Sequence, residues 1–75
     1  MNKNKKLTLC LREIMDERNI TRYQLAKRAE IHYPTIDRYY KNKTVRYDND
    51  VLLKICLDLD CDISDILKIV DADAE

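Results

Sequence analysis

The apolar positions of this chain fall into short helical stripes. Between Ile20 and Lys43, the side chains of Leu25, Ala26, Ala29, Ile31, Ile36 and Tyr39 can all turn toward one core. Arg22, Tyr33, Pro34, Thr35 and Arg38 are left pointing elsewhere. The spacing predicts two short amphipathic helices with a tight break at Glu30-Ile31-His32. Thr21 is a good N-cap for the first of the pair, whose Ala26 and Ala29 let another helix approach closely. The second starts at about Tyr33-Pro34, where proline costs little because first-turn amides lack an intrahelical partner. It ends near Asn42, a residue that tolerates left-handed backbone at a helix stop.

Further helices flank this pair. Leu7, Leu9 and Leu11 alternate as a strand would, but Leu7, Leu11, Ile14 and Met15 share helical spacing, and the longer pattern is preferred. That first helix begins at Thr8 or Cys10 and ends at Arg18-Asn19. After a loop over 43–47, Asp48 or Asn49 caps a fourth helix with Leu52, Ile55, Cys56 and Leu59 on its core face. Asp62 caps a fifth, with Asp65 completing a capping box and Cys61 and Ile66 forming a hydrophobic staple. Ile63, Ile66, Leu67 and Val70 finish the core. Residues 1–6 read as a flexible basic arm, 7–70 as one folded domain and 71–75 as an acidic disordered tail. The chain has no Gly and a single Pro, which disfavours tight hairpins and favours an all-α architecture.

Charge changes the picture. The formal net charge is zero, yet residues 1–47 carry twelve Lys or Arg against five acids, and residues 48–75 carry two against nine. The basic half coincides with the helix pair, the arrangement that phosphate binding needs. Cys10, Cys56 and Cys61 include no Cys-x-x-Cys pair, and the lone His32 is remote in sequence, so they read as reduced, small apolar residues rather than metal ligands. Asp58, Asp60, Asp62 and Asp65 form an acidic run without the glycine and spacing of a calcium loop. No Ser/His/Asp, Cys/His or paired-carboxylate set suggests an enzyme, and no cofactor is expected. No apolar run approaches the ~20 residues needed to span a bilayer, so no membrane association and a cytoplasmic location are expected.

Four segments in order carry a family likeness: Leu-Arg-Glu-Ile-Met-Asp-Glu-Arg-Asn-Ile-Thr, Gln-Leu-Ala-Lys-Arg, Thr-Ile-Asp-Arg-Tyr-Tyr-Lys-Asn-Lys and Leu-Lys-Ile-Cys-Leu-Asp-Leu-Asp-Cys-Asp-Ile-Ser-Asp-Ile-Leu. With these, the chain resembles the phage-repressor and Cro-type helix-turn-helix proteins of the XRE superfamily, over roughly Leu7 to Ile69. The resemblance implies a five-helix, lambda-repressor-like DNA-binding domain whose helices 2 and 3 form the helix-turn-helix. By position it implies base reading by Tyr33, Pro34 and Arg38, with Thr35 and Asp37 close by. Arg38 is the strongest of these on chemical grounds, because a guanidinium can bond bidentately to guanine O6 and N7. Arg22 holds the place where relatives clamp a phosphate, usually with Gln. Lys43, Thr44, Arg46 and Tyr47 lie in the loop that would follow the sugar–phosphate strand. Lys27, Arg28 and Lys41 read as generic solvated cations.

The chain departs from the family pattern at four places. Glu30 stands where relatives carry the turn Gly, at a cost of roughly 1 kcal/mol if the backbone is left-handed there. His32 replaces the Ser or Thr cap of the reading helix and is a poorer cap. Many relatives pair a buried Arg of helix one with a Glu of helix three; here those places are Met15 and Tyr40, so neither charge needs burying.

The expected function is that of a sequence-specific transcriptional regulator binding double-stranded DNA, a repressor acting by operator occlusion. Leu53 and Leu57, one turn apart with Val51 near, form a candidate homodimer surface. The alternative is a protein-interaction module, an antitoxin-like or anti-repressor partner, in which the helix-turn-helix serves as scaffold. No small-molecule ligand is expected in either case.

Overall fold

The computed structural model describes residues 4–44 and 46–72. Five helices follow one strand and precede another: β1 (Lys5–Leu9), α1 (Leu11–Glu17), α2 (Arg22–Ala29), α3 (Tyr33–Tyr40), α4 (Asn49–Leu59), α5 (Ile63–Ile66) and β2 (Leu67–Asp71). The all-α expectation is corrected here, because β1 and β2 pair antiparallel from Lys5↔Asp71 to Leu9↔Leu67. The alternation of Leu7 and Leu9 was the true strand signal, while Leu11, Ile14 and Met15 keep the helical spacing in α1. Leu9 and Leu11 are buried, whereas Leu7, which the helical reading placed on the core stripe, is 48 % exposed. A glycine-free chain builds this sheet because no hairpin is involved: its strands come before and after all five helices in the chain and meet side by side in the fold. The sheet takes in Lys5 and Lys6 from the expected arm and Asp71 from the expected tail. The Ala72 amide donates to the Asn4 carbonyl at 2.7 Å. The rest of that arm and tail, 1–3 and 73–75, lies outside the described residues.

The stops of α1, α2, α3 and α4 share one device, whereas α5 runs directly into β2. Asn19, Glu30, Asn42 and Asp60 have φ between 53° and 58°. In each case the amide of the next residue returns to a carbonyl five positions back: Ile20 to Met15, Ile31 to Ala26, Lys43 to Arg38 and Cys61 to Cys56, at 2.9–3.0 Å. This closure satisfies terminal carbonyls and turns the chain sharply. Ile20, Ile31 and Cys61 then place an apolar side chain against the core.

Helix starts follow the sequence closely. Thr21 and Gln24 form a reciprocal capping box on α2, Asp48 accepts from the Asp50 and Val51 amides at the start of α4, and Asp62 with Asp65 boxes α5. His32 precedes α3 without a side-chain cap bond, and Pro34 lies in its first turn.

The core unites Leu9, Leu11, Met15, Leu25, Ala26, Ala29, Ile36, Tyr39, Ile55, Leu59 and Ile66. Ile63, expected inside, is 47 % exposed. Polar ties cross between elements. Arg28 grips Asp58 with Nη2–Oδ2 at 2.8 Å, joining α2 to α4. Arg18 donates to the Leu59 carbonyl at the C-terminus of α4. The Tyr39 hydroxyl accepts from the Asp48 amide at 2.8 Å. The Asn42 side chain accepts from the Leu9 amide at 3.1 Å and donates to Thr8 Oγ1 at 2.7 Å, pinning β1 to the end of α3. Among the described residues no helix is long and apolar enough to cross a membrane.

Candidate nucleic-acid interface

The α2 core face is fixed by Leu25, Ala26 and Ala29, and that of α3 by Ile36 and Tyr39. What the two helices leave outside follows from those anchors. Tyr33, Pro34 and Arg38 are exposed on α3, while Thr35 and Asp37 are half-buried. Arg38 has no carboxylate partner among the described residues. Tyr33 leans on Tyr23 of α2, the tilted rings lying 6.4 Å apart. Tyr23 is 72 % exposed and was not singled out from the sequence. Its signal was there to find, since an aromatic on the polar face of an amphipathic helix has no core to serve.

Asp37 turns toward its neighbours. Arg22 Nη1 donates to Asp37 Oδ1 at 2.5 Å, and Lys41 Nζ lies 3.1 Å from Oδ2. The hydrogen bond from Lys41, followed by that from Arg22, holds the Asp37 carboxyl below its ordinary pKa against the opposing effect of burial. The bond to Asp37 in turn raises the pKa of Arg22. The Arg22 guanidinium also lies 4.6 Å from the centre of the Tyr40 ring, a cation–π contact. Tyr40 donates its hydroxyl to Asp16 Oδ1 at 2.9 Å, and that bond, with burial, raises its pKa.

The Met15 and Tyr40 exchange therefore has two sides. Met15 is fully buried, while Tyr40 supplies a ring for Arg22 and a hydroxyl for Asp16 of α1. One small network, Asp16–Tyr40–Arg22–Asp37–Lys41, spans α1, α2 and α3.

The loop after α3 divides in two. Lys43 and Arg46 are exposed, and neither has an ion-pair partner among the described residues. Thr44 spends its hydroxyl on the Arg46 carbonyl at 2.7 Å. Tyr47 turns inward, its ring edge-on to Tyr39 at 6.0 Å, and burial raises its phenol pKa. The two cations called generic with Lys27 also have partners: Arg28 has Asp58, and Lys41 has Asp37.

Between them, α4 and α5 form a largely apolar groove of about 450 Å³ lined by Leu52, Leu53, Cys56, Leu57, Cys61 and Ile63. Leu53 is 54 % and Leu57 71 % exposed, and Val51 is half-buried. Burial pushes the Cys61 thiol up to about 11 and raises Cys56 as well, so both stay protonated at neutral pH.

Two solved structures share this fold. A Bacteroides fragilis protein described as DNA-binding superposes with a TM-score of 0.73 at 22 % identity, covering 84 % of this chain and 100 % of that one. The transcriptional regulator VanUg superposes with a TM-score of 0.70 at 24 % identity, covering 93 % of this chain and 92 % of that one. At these identities the likeness is one of fold. A search of curated proteins gave no match. A family profile, that of the Cro/C1-type helix-turn-helix DNA-binding domain, matches residues 10–72, from the N-cap of α1 through β2. By that match over most of its length, the chain belongs to the Cro/C1-type helix-turn-helix DNA-binding domain family.

Proposed function

We propose that the protein is a sequence-specific transcriptional repressor that binds double-stranded DNA as a homodimer and acts by occluding its operator. In this reading α2 and α3 are the helix-turn-helix, and α3 enters the major groove. The observation that carries it is Arg38: an exposed guanidinium on α3 with no carboxylate to satisfy it among the described residues. In the groove it meets guanine O6 and N7. Tyr33, propped by Tyr23, and Pro34 reach a thymine methyl or a phosphate from the start of the helix, with Thr35 beside them. Lys43 and Arg46 follow the phosphate backbone and set register without reading sequence. Thr44 and Tyr47 shape that loop through their own bonds and packing, and Arg22 and Asp37 are tied to each other rather than open to the groove.

In-vitro selection from random duplexes tests the proposal. The expected product is a palindromic consensus, with Arg38→Ala relaxing one base pair in each half-site and weakening binding by ~1–3 kcal/mol. An unchanged consensus and affinity in that variant would remove Arg38 from the reading set. The interaction-module alternative predicts no binding to mixed-sequence DNA even at low salt, whereas a DNA-binding protein loses affinity steeply as salt rises.

A further inference from the structure

The cations around α2 and α3 are not equivalent. Arg38, Lys43 and Arg46 stand free of acids among the described residues, whereas Arg22 and Lys41 share the single carboxylate of Asp37. Arg22 is held twice over, by Asp37 at 2.5 Å and by the Tyr40 ring at 4.6 Å. That ring is itself fixed through its hydroxyl to Asp16. The Arg22 and Asp37 side chains are 34 % and 25 % exposed, so water screens their pairing less than it would an open surface pair.

Sequence-independent affinity for DNA grows with the number of cations that reach phosphates, each adding about 0.9 to the slope of log affinity against log salt. A cation that stays paired to a buttressed carboxylate neutralises no phosphate, so it displaces no counterion from the DNA. It adds little to that slope unless its partner is removed.

We propose that Asp37 is a specificity-determining, positioning residue: it holds Arg22 and Lys41 off the phosphate backbone, keeping non-specific affinity low so that the exposed reading residues decide where the protein binds. The inference rests on the DNA-binding reading of α2 and α3. It assigns Asp37 an indirect role, in place of direct base contact. It also makes Arg22 a restrained cation where relatives carry a phosphate clamp.

The test is a salt titration of the full chain on a mixed-sequence duplex. It compares the wild type, Asp37→Asn, Arg22→Gln and the double variant, with circular dichroism to confirm each fold. Asp37→Asn should steepen the slope by about one to two units and tighten mixed-sequence binding at moderate salt by about five- to fiftyfold. It should also narrow the preference for a selected site over mixed sequence. Arg22→Gln should barely change the slope in the wild type, yet take back about one unit in the Asp37→Asn background. A purely structural role for the pair would leave the slope unmoved.

A slope for Asp37→Asn no steeper than the wild type's overturns the inference, as does an equal effect of Arg22→Gln in both backgrounds. Should Asp37→Asn not fold, Arg22→Gln alone decides, because loss of a full unit of slope would mean that Arg22 already contacts phosphate. Absence of wild-type binding at low salt overturns the DNA-binding reading itself and the inference with it. The wild-type arm and the variant arms thus fail separately.

Discussion

Glu30 carries a conformation that its residue type does not favour. At φ 57° and ψ 49° it occupies the left-handed region, as do Asn19, Asn42 and Asp60. Asn and Asp tolerate that region through local side-chain bonding, but Glu has a longer side chain and a Cβ with no such compensation. The position is imposed by its neighbours, since Ala29 and Ile31 must both reach the core across one residue, and the Ile31 amide must return to the Ala26 carbonyl. Glu30→Gly should therefore raise stability by up to about 1 kcal/mol, which for a chain of this size shifts the melting midpoint by roughly 4–8 °C. The greater freedom of Gly in the unfolded chain sets that upper limit. Thermal unfolding followed by circular dichroism checks it, and a lower midpoint would show that Glu30 makes an offsetting contribution. The break over Glu30-Ile31-His32 was readable from the apolar spacing, whereas the left-handed backbone at Glu30 was indicated by the resemblance, which puts the turn Gly of relatives at this position. The Arg22–Asp37 bond was not readable, because fifteen residues separate the partners and no helical period links them.

At the scale of elements, the helices were legible and the sheet was not, for a definite reason. The helices announce themselves locally, through apolar stripes, through a capping Thr or Asp before α2, α4 and α5, and through the left-handed stops after α1 to α4. Strand β1 shows only the alternation of Leu7 and Leu9, which competes with a longer helical spacing that includes Leu11 of α1, and its partner lies near the other end of the chain. Strand preference reflects cross-strand neighbours more than intrinsic backbone tendency, so a terminal strand with a remote partner leaves a faint local trace. Asn42 then matters twice, as the left-handed stop of α3 and as the clamp on β1 through Leu9 and Thr8. Asn42→Gly keeps the backbone and removes the clamp, so it should cost about 1–2 kcal/mol, and Asn42→Ala, which also opposes the positive φ, should cost more. Hydrogen exchange distinguishes this from general loosening. In Asn42→Gly the Leu9 amide should lose protection well before the amides of α2. Equal loss in both would mean that the sheet and the helical body open together.

On the scale of the whole molecule, the two oppositely charged halves of the chain fold against each other without cancelling. Arg28–Asp58 and Lys5–Asp71 stitch the basic half to the acidic one, yet Arg38, Lys43 and Arg46, on α3 and the loop after it, stay exposed. The apolar groove of α4 and α5 lies on elements of the acidic half. A single reading helix covers about half of an operator turn, so a protein that binds a two-fold site needs a second copy. Leu53, Leu57 and Ile63 are the large exposed apolar side chains of that groove, and pairing it with its own image would cover them together. Leu57→Glu should then convert a dimer to a monomer in sedimentation equilibrium while leaving the circular dichroism spectrum unchanged, since Leu57 is 71 % exposed and outside the core. The same change should cost DNA affinity far more than a lost surface contact, about a hundredfold or greater, because the second half-site would no longer be held at high effective concentration. Half-site binding should survive, since Arg38 and Tyr33 lie on α3. A Leu57→Glu protein that still sediments as a dimer would move the interface elsewhere, and the paired Leu7 and Ile69, exposed where the core-facing side of the sheet runs past the core, would be the surface to change next.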